Sequence, residues 1–90
     1  MLDENKLNYK LYMKKMTCIE LGGACDLAFE ANTFEEMAKM SKDHGTEMFQ
    51  KGDEAHLAAM NKMMELMQKP EAMEAWFEEK RKVFEALPNI

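Results

Sequence analysis

The sequence predicts an α+β fold in which a two-stranded antiparallel hairpin is packed by three α-helices. Two short segments rich in strand-forming residues flank a Gly-Gly pair, which is a hairpin signal. A capping box follows the second segment and marks the start of a helix. Gly52 and Pro70 then divide the remainder of the chain into three amphipathic segments of helical length.

The first 15 residues form an N-terminal extension whose structure the sequence leaves open. Apolar and polar residues alternate from Leu7 to Met13, which favours a third strand. Leu7 and Leu11 are also spaced as on one turn of a helix. We therefore expect one compact domain over residues 16–90 and keep both interpretations of the extension.

The hairpin is predicted over residues 16–31, with strands at 16–21 and 25–31. If the Gly-Gly pair at 22–23 provides the two turn residues, Cys18 pairs with the residue at position 27. Cys18 and Cys25 then lie on one face as diagonal neighbours, roughly 7–8 Å apart between Cα atoms. A three-residue loop would place the two cysteines on opposite faces, so their proximity depends on this register.

The first helix is predicted at about residues 33–50. Thr33 and Glu36 form its capping box, Thr-x-x-Glu. At 100° per residue, His44 falls within the apolar stripe that also contains Phe34. His44 should therefore face the hairpin, whose apolar face carries Cys25.

The second and third helices are predicted at about residues 53–68 and 70–87. Asp53 is expected to cap the second helix, and Pro70 suits the first turn of the third. His56 lies within the apolar arc of the second helix, where a core or interface histidine is a commoner role than a ligand. The same helix carries a stripe of methionines, more typical of core packing or a subunit interface than of a copper site: Met60, Met63, Met64 and Met67.

Composition excludes several classes of function. The formal net charge is −5, and no basic face is evident, so nucleic acids and anionic membranes are poor partners. No apolar run approaches the roughly 18–20 residues of a membrane span, and the first residues show no apolar segment or cleavage site of a signal peptide, so we expect neither. We expect a cytoplasmic protein, in which two cysteines serve as free thiols, metal ligands or a redox pair rather than a permanent disulfide.

The best candidates for a functional site are Cys18, Cys25 and His44, which could bind a metal ion. Two thiolates and an imidazole suit zinc or another divalent metal. The fourth ligand is left open among water and four side chains: Glu20, Asp26, Glu47 and His56. Two alternatives also remain, a buried thiol pair beside a hydrogen-bonded histidine and a reversible disulfide.

No catalytic residue is predicted. A cysteine–histidine nucleophile also needs an orienting third group and an oxyanion hole, and the sequence indicates neither. The acidic pairs at 35–36 and 78–79 fit solvated helix faces better than acid/base catalysis. The protein is therefore more readily interpreted as a non-enzyme.

Two segments resemble a known family, MTCIELGGACDLAF at residues 16–29 and KDHG at residues 42–45. The chain resembles a family of short bacterial and archaeal proteins of unknown function that are described as predicted small metal-binding proteins. The resemblance covers about residues 16–49. It implies a compact α/β unit with Cys18, Cys25 and His44 as ligands, and Met40 stands where many members have a second histidine.

These observations predict a small metal-binding protein with a Cys/Cys/His site. The alternative is a non-catalytic structural or interaction module that self-associates through its methionine-rich helices. Short amphipathic helices often bury part of their stripes against another copy, so we also expect a homo-oligomer, a dimer or higher.

Overall fold

A computed structural model describes residues 13–90 and confirms the α+β fold. The third strand considered for residues 1–15 falls largely outside the described residues. Within them, two antiparallel strands are followed by three α-helices. The strands are β1 (Lys14–Thr17) and β2 (Ala28–Ala31), and the helices are α1 (Phe34–Lys51), α2 (Glu54–Met67) and α3 (Pro70–Ala86).

The strands pair in the predicted register but are shorter than predicted. Met16 lies opposite Phe29 and Thr17 opposite Ala28. The Cys18 N–H continues this register by donating to the Leu27 carbonyl at 2.8 Å. Regular pairing nevertheless ends at Thr17, and β1 already begins two residues before the predicted domain start.

The predicted two-residue turn is wrong, because residues 18–27 form a longer loop. The Cys18 carbonyl accepts hydrogen bonds from the N–H groups of Leu21 (3.0 Å) and Gly23 (2.8 Å). These bonds curl Ile19–Leu21 into a 3₁₀ turn instead of extending the strand. Gly22 ends that turn with φ +93°, a conformation that glycine adopts without a steric cost.

The helix boundaries agree with the sequence signals to within one or two residues. Thr33 Oγ1 accepts the Glu36 N–H at 3.1 Å and caps α1. Asp53 caps α2 by accepting the His56 N–H at 3.0 Å. Pro70 is the first residue of α3, where its missing N–H leaves no hydrogen bond unmade.

The hydrophobic core lies where the inner face of the hairpin meets α1 and α3. Phe34 of α1 packs edge-to-face on Phe84 of α3, with ring centroids 5.9 Å apart. The buried apolar residues are Met16, Cys18, Leu21, Phe29, Ala31, Phe34, Met37 and Phe84. The exposed large apolar residues include Leu27, which lies just before the first residue of β2, and Phe49, near the end of α1.

No helix among residues 13–90 combines the length and apolar character needed to cross a membrane.

Candidate metal centre

Four side chains converge at the inner edge of the hairpin. Each contributes one sulfur or nitrogen atom, and these four atoms all lie within 4.8 Å of one another. The four residues are Cys18, Cys25, His44 and His56. The structure thus brings together the three residues predicted from the sequence and adds His56. Four such donors are the number that a structural zinc site requires.

The two cysteines come from opposite ends of the loop that joins the strands. Hydrogen bonds hold the ends together, since Cys18 N–H donates to the Leu27 carbonyl and Ile19 N–H donates to the Cys25 carbonyl at 2.9 Å. The loop therefore brings the cysteines together despite their six intervening residues.

Gly23 allows the loop to close over Cys18. A Cβ atom at position 23 would overlap the Cys18 sulfur and lie 3.0 Å from the Cys18 carbonyl oxygen. Only glycine fits at this distance without displacing the thiol. The second glycine of the predicted hairpin turn thus has a different role, which is to make room for a candidate ligand.

The histidines come from α1 and α2. His44 lies on the buried face of α1, as its helical phase predicts, and its ring meets Phe29 edge-on with centroids 5.7 Å apart. His56 lies in the first turn of α2, and the two imidazoles are 5.2 Å apart. The cluster therefore connects three parts of the fold: the hairpin loop, α1 and α2.

The sulfur–nitrogen distances fit tetrahedral coordination. Cys25 Sγ lies 3.3 Å from His44 Nε2, and Cys18 Sγ lies 3.6 Å from His56 Nε2. Zinc bonds of about 2.3 Å to sulfur and about 2.0–2.1 Å to nitrogen place neighbouring sulfur and nitrogen ligands about 3.6 Å apart. Without a metal, the same distances correspond to two thiol–imidazole hydrogen bonds.

Asp53 fixes the orientation of His56. Its Oδ2 atom accepts a hydrogen bond from His56 Nδ1, which leaves Nε2 directed at the cysteines. An ionised carboxylate can only accept, so the Nδ1 atom carries the proton. The hydrogen bond to Asp53 raises the pKa of His56 and outweighs burial, which lowers it. The same bond lowers the pKa of Asp53.

Burial distinguishes Cys25 from the other three side chains. Relative exposure is 3% for Cys18, 6% for His56 and 9% for His44, whereas Cys25 is half-buried. The centre is therefore enclosed on most sides, and Cys25 lies at its accessible edge.

His56 is the candidate ligand that sequence reasoning left among several alternatives. The competing carboxylates lie elsewhere: Glu20 accepts from Thr17 N–H at 2.9 Å, Glu47 pairs with Lys51 at 3.1 Å, and Asp26 is exposed. The sequence signal that could have selected His56 is its spacing from Asp53. A capping carboxylate three residues before a histidine can also accept a hydrogen bond from the imidazole ring and so orient it.

The fold and the cluster define a small α+β protein with a candidate two-cysteine, two-histidine metal centre. No protein-family model matches the chain, and searches of curated proteins and of solved structures find no similar protein. The resemblance to small metal-binding proteins therefore stays a prediction. Met40, where many members of that family have a second histidine, is 38% exposed.

Proposed function

We propose that this is a small metal-binding protein whose centre holds one zinc or similar divalent ion. Cys18 and Cys25 act as thiolate ligands, and His44 and His56 bind through Nε2. The observation that carries the proposal is the proximity of four donor atoms contributed by three separate parts of the fold. The hydrogen bond between Asp53 and His56 supports it, because metal-bound histidines usually donate their other N–H to a carboxylate or carbonyl.

Two thiolates and two imidazoles favour zinc over magnesium or calcium, which prefer oxygen ligands. Four protein ligands also complete a tetrahedral shell, whereas catalytic zinc sites keep one position for water or substrate. The proposed role of the ion is therefore structural: it connects the hairpin loop to α1 and α2. A 90-residue chain with a small core gains much from such a connection.

A reducing compartment favours metal binding, because oxidised cysteines cannot serve as thiolate ligands. The cytoplasmic location that we expect is such a compartment.

The test is elemental analysis of protein purified without an affinity tag. We expect about one zinc per chain. Cys25→Ser and His56→Ala should each lower the zinc content and affinity. Glu20→Gln is the matched control, since Glu20 lies in the same loop but bonds Thr17 rather than the cluster. Metal-free protein whose melting temperature is insensitive to a chelator would overturn the proposal.

Self-association through the methionine-rich helices is a second candidate function. The observation that favours it is the exposure of Met64 and Met67, at 59% and 60%, on α2. Phe77 and Val83 of α3 are also exposed, at 40% and 39%. Light scattering after size exclusion should then detect a dimer or higher oligomer, and a strictly monomeric protein would contradict this candidate.

A further inference from the structure

We propose that the centre is also a redox switch, in which a hydroperoxide oxidises Cys18 and Cys25 to a disulfide and so releases the metal. This inference rests on the proposed function, because it concerns the regulation of the same site. It depends on three features of the two cysteines: the distance between their sulfurs, their unequal exposure, and the closure of the loop that carries them.

The sulfurs are close enough to bond after a small movement. Cys18 Sγ and Cys25 Sγ lie within 4.8 Å of each other, and a disulfide requires about 2.05 Å. Both cysteines are free thiols in the structure. Because hydrogen bonds already hold the loop ends together, side-chain rotation and a limited shift of the loop can bring the sulfurs into bonding distance.

Unequal exposure assigns different roles to the two thiols. Cys25 is half-buried at the accessible edge, whereas Cys18 is 3% exposed and is covered by Gly23. An oxidant from solvent therefore meets Cys25 first. Cys18 is protected from solvent but lies next to Cys25, which is the arrangement of a resolving cysteine.

The reaction consumes one hydroperoxide and two protons. The Cys25 thiolate attacks the terminal peroxide oxygen, so a sulfur–oxygen bond forms, the oxygen–oxygen bond breaks, and the alkoxide leaves as the alcohol after protonation. The Cys18 thiolate then attacks the Cys25 sulfur, and hydroxide leaves as water after protonation. Two electrons pass from the thiolates to the peroxide, which is hydrogen peroxide or an organic hydroperoxide.

Disulfide formation removes both thiolate ligands at once. His44 and His56 remain but provide only two neutral donors, so the ion leaves the centre. A thiol reductant restores the two thiolates, and added zinc can then bind again.

The experiment treats zinc-loaded full-length protein with hydrogen peroxide. A chromogenic chelator measures zinc release, and intact mass spectrometry measures the product. We expect one zinc released per chain, together with a mass decrease of two hydrogens. A reductant plus zinc should restore both the metal content and the original mass.

Two variants separate the roles of the cysteines. In Cys18→Ser, oxidised Cys25 lacks its resolving partner, so a sulfenic acid should accumulate and react with dimedone. In Cys25→Ser, the remaining thiol is buried, and we expect its oxidation to be about tenfold slower. Equal oxidation rates in the two variants would contradict the assigned order of attack.

The outcomes distinguish this inference from the proposed function. Protein that holds no zinc before peroxide is added overturns both. Zinc-loaded protein that keeps its metal, or loses it with sulfinic acids and no intramolecular disulfide, overturns the redox switch alone.

Discussion

One carboxylate oxygen of Asp53 accepts two hydrogen bonds from His56. Oδ2 receives the backbone N–H of His56 at 3.0 Å and also the Nδ1–H of its imidazole. The first bond caps α2, and the second directs Nε2 toward the cysteines. The start of a helix and the orientation of a candidate metal ligand therefore depend on the same atom.

We predict that Asp53→Asn lowers zinc affinity by about 10-fold or more, because it replaces the carboxylate behind the ligand with a neutral amide. Asparagine is itself a good N-cap, so the start of α2 should survive. Competition with a chromogenic chelator measures the affinity, and circular dichroism checks that helicity is retained.

Thr33→Ala is the control for this prediction. Thr33 caps α1 by accepting a backbone N–H, as Asp53 does for α2, but it bonds Glu36 rather than a residue of the metal centre. The substitution should cost about 1 kcal/mol of stability. Its effect on zinc affinity should be much smaller than that of Asp53→Asn, and equal effects would mean that Asp53 acts only as a cap.

The pKa of His56 predicts opposite pH dependences with and without metal. In the metal-free protein, the folded-state pKa of His56 lies above the ordinary 6.5 because of Asp53. The stabilisation from this pair is fully present below pH 6.5 and is lost as the pH rises through the folded-state pKa. The stabilisation from bound zinc changes in the opposite sense, since the metal displaces protons from its ligands.

Urea unfolding at several pH values tests this difference. For metal-free protein, the advantage of the parent over Asp53→Asn in free energy of unfolding should shrink as the pH rises. For zinc-loaded parent protein, the stabilisation by zinc should grow over the same range. An advantage that increases with pH in the metal-free protein would contradict the assignment.

Gly23→Ala should weaken the metal centre. The new Cβ would overlap the Cys18 sulfur. Overpacking typically costs about 1–3 kcal/mol, so we expect a loss of zinc affinity of about tenfold or more. Gly45→Ala provides the contrast, because its Cβ would lie 3.6 Å from Met60 Cε in ordinary contact. That change in mid-helix should stabilise the protein by about 0.5–1 kcal/mol, as thermal unfolding can measure.

Met37 and Met64 should respond differently to truncation. Met37 of α1 is fully buried in the core, whereas Met64 of α2 is 59% exposed. Met37→Ala should cost about 2–5 kcal/mol because it leaves a cavity. Met64→Ala should change the stability of the monomer by no more than about 0.5 kcal/mol. A large cost at Met64 that grows with protein concentration would instead support self-association.

Local signals predicted most of the fold. The starts of the three helices were predictable because their signals lie in the local sequence. These signals are the capping side chains of Thr33 and Asp53 and the proline at position 70. The hairpin has the register expected for a two-residue turn, although the two glycines do not form that turn. The structure of the loop was not predicted, because it depends on the Cys18 carbonyl, which accepts two N–H groups of the loop instead of bonding a strand partner.

The sequence predicted the part of the candidate site that comes from elements adjacent in the chain, namely the hairpin and α1. His44 could be placed because α1 follows the hairpin directly and its helical phase turns the ring inward. His56 could not be selected, since its position depends on how α2 packs against α1 and the loop. Periodicity identifies the buried face of a helix but does not identify the element that will cover it.

The zinc content of the untagged protein decides whether Cys18, Cys25, His44 and His56 form a metal centre. We expect one zinc per chain, and replacement by cobalt(II) should give the thiolate charge-transfer and ligand-field bands of a tetrahedral two-sulfur, two-nitrogen site. His56→Ala should change these bands and lower the affinity. Protein that binds neither metal, with the same melting temperature in the presence of a chelator, would show that these four side chains do not form a metal centre.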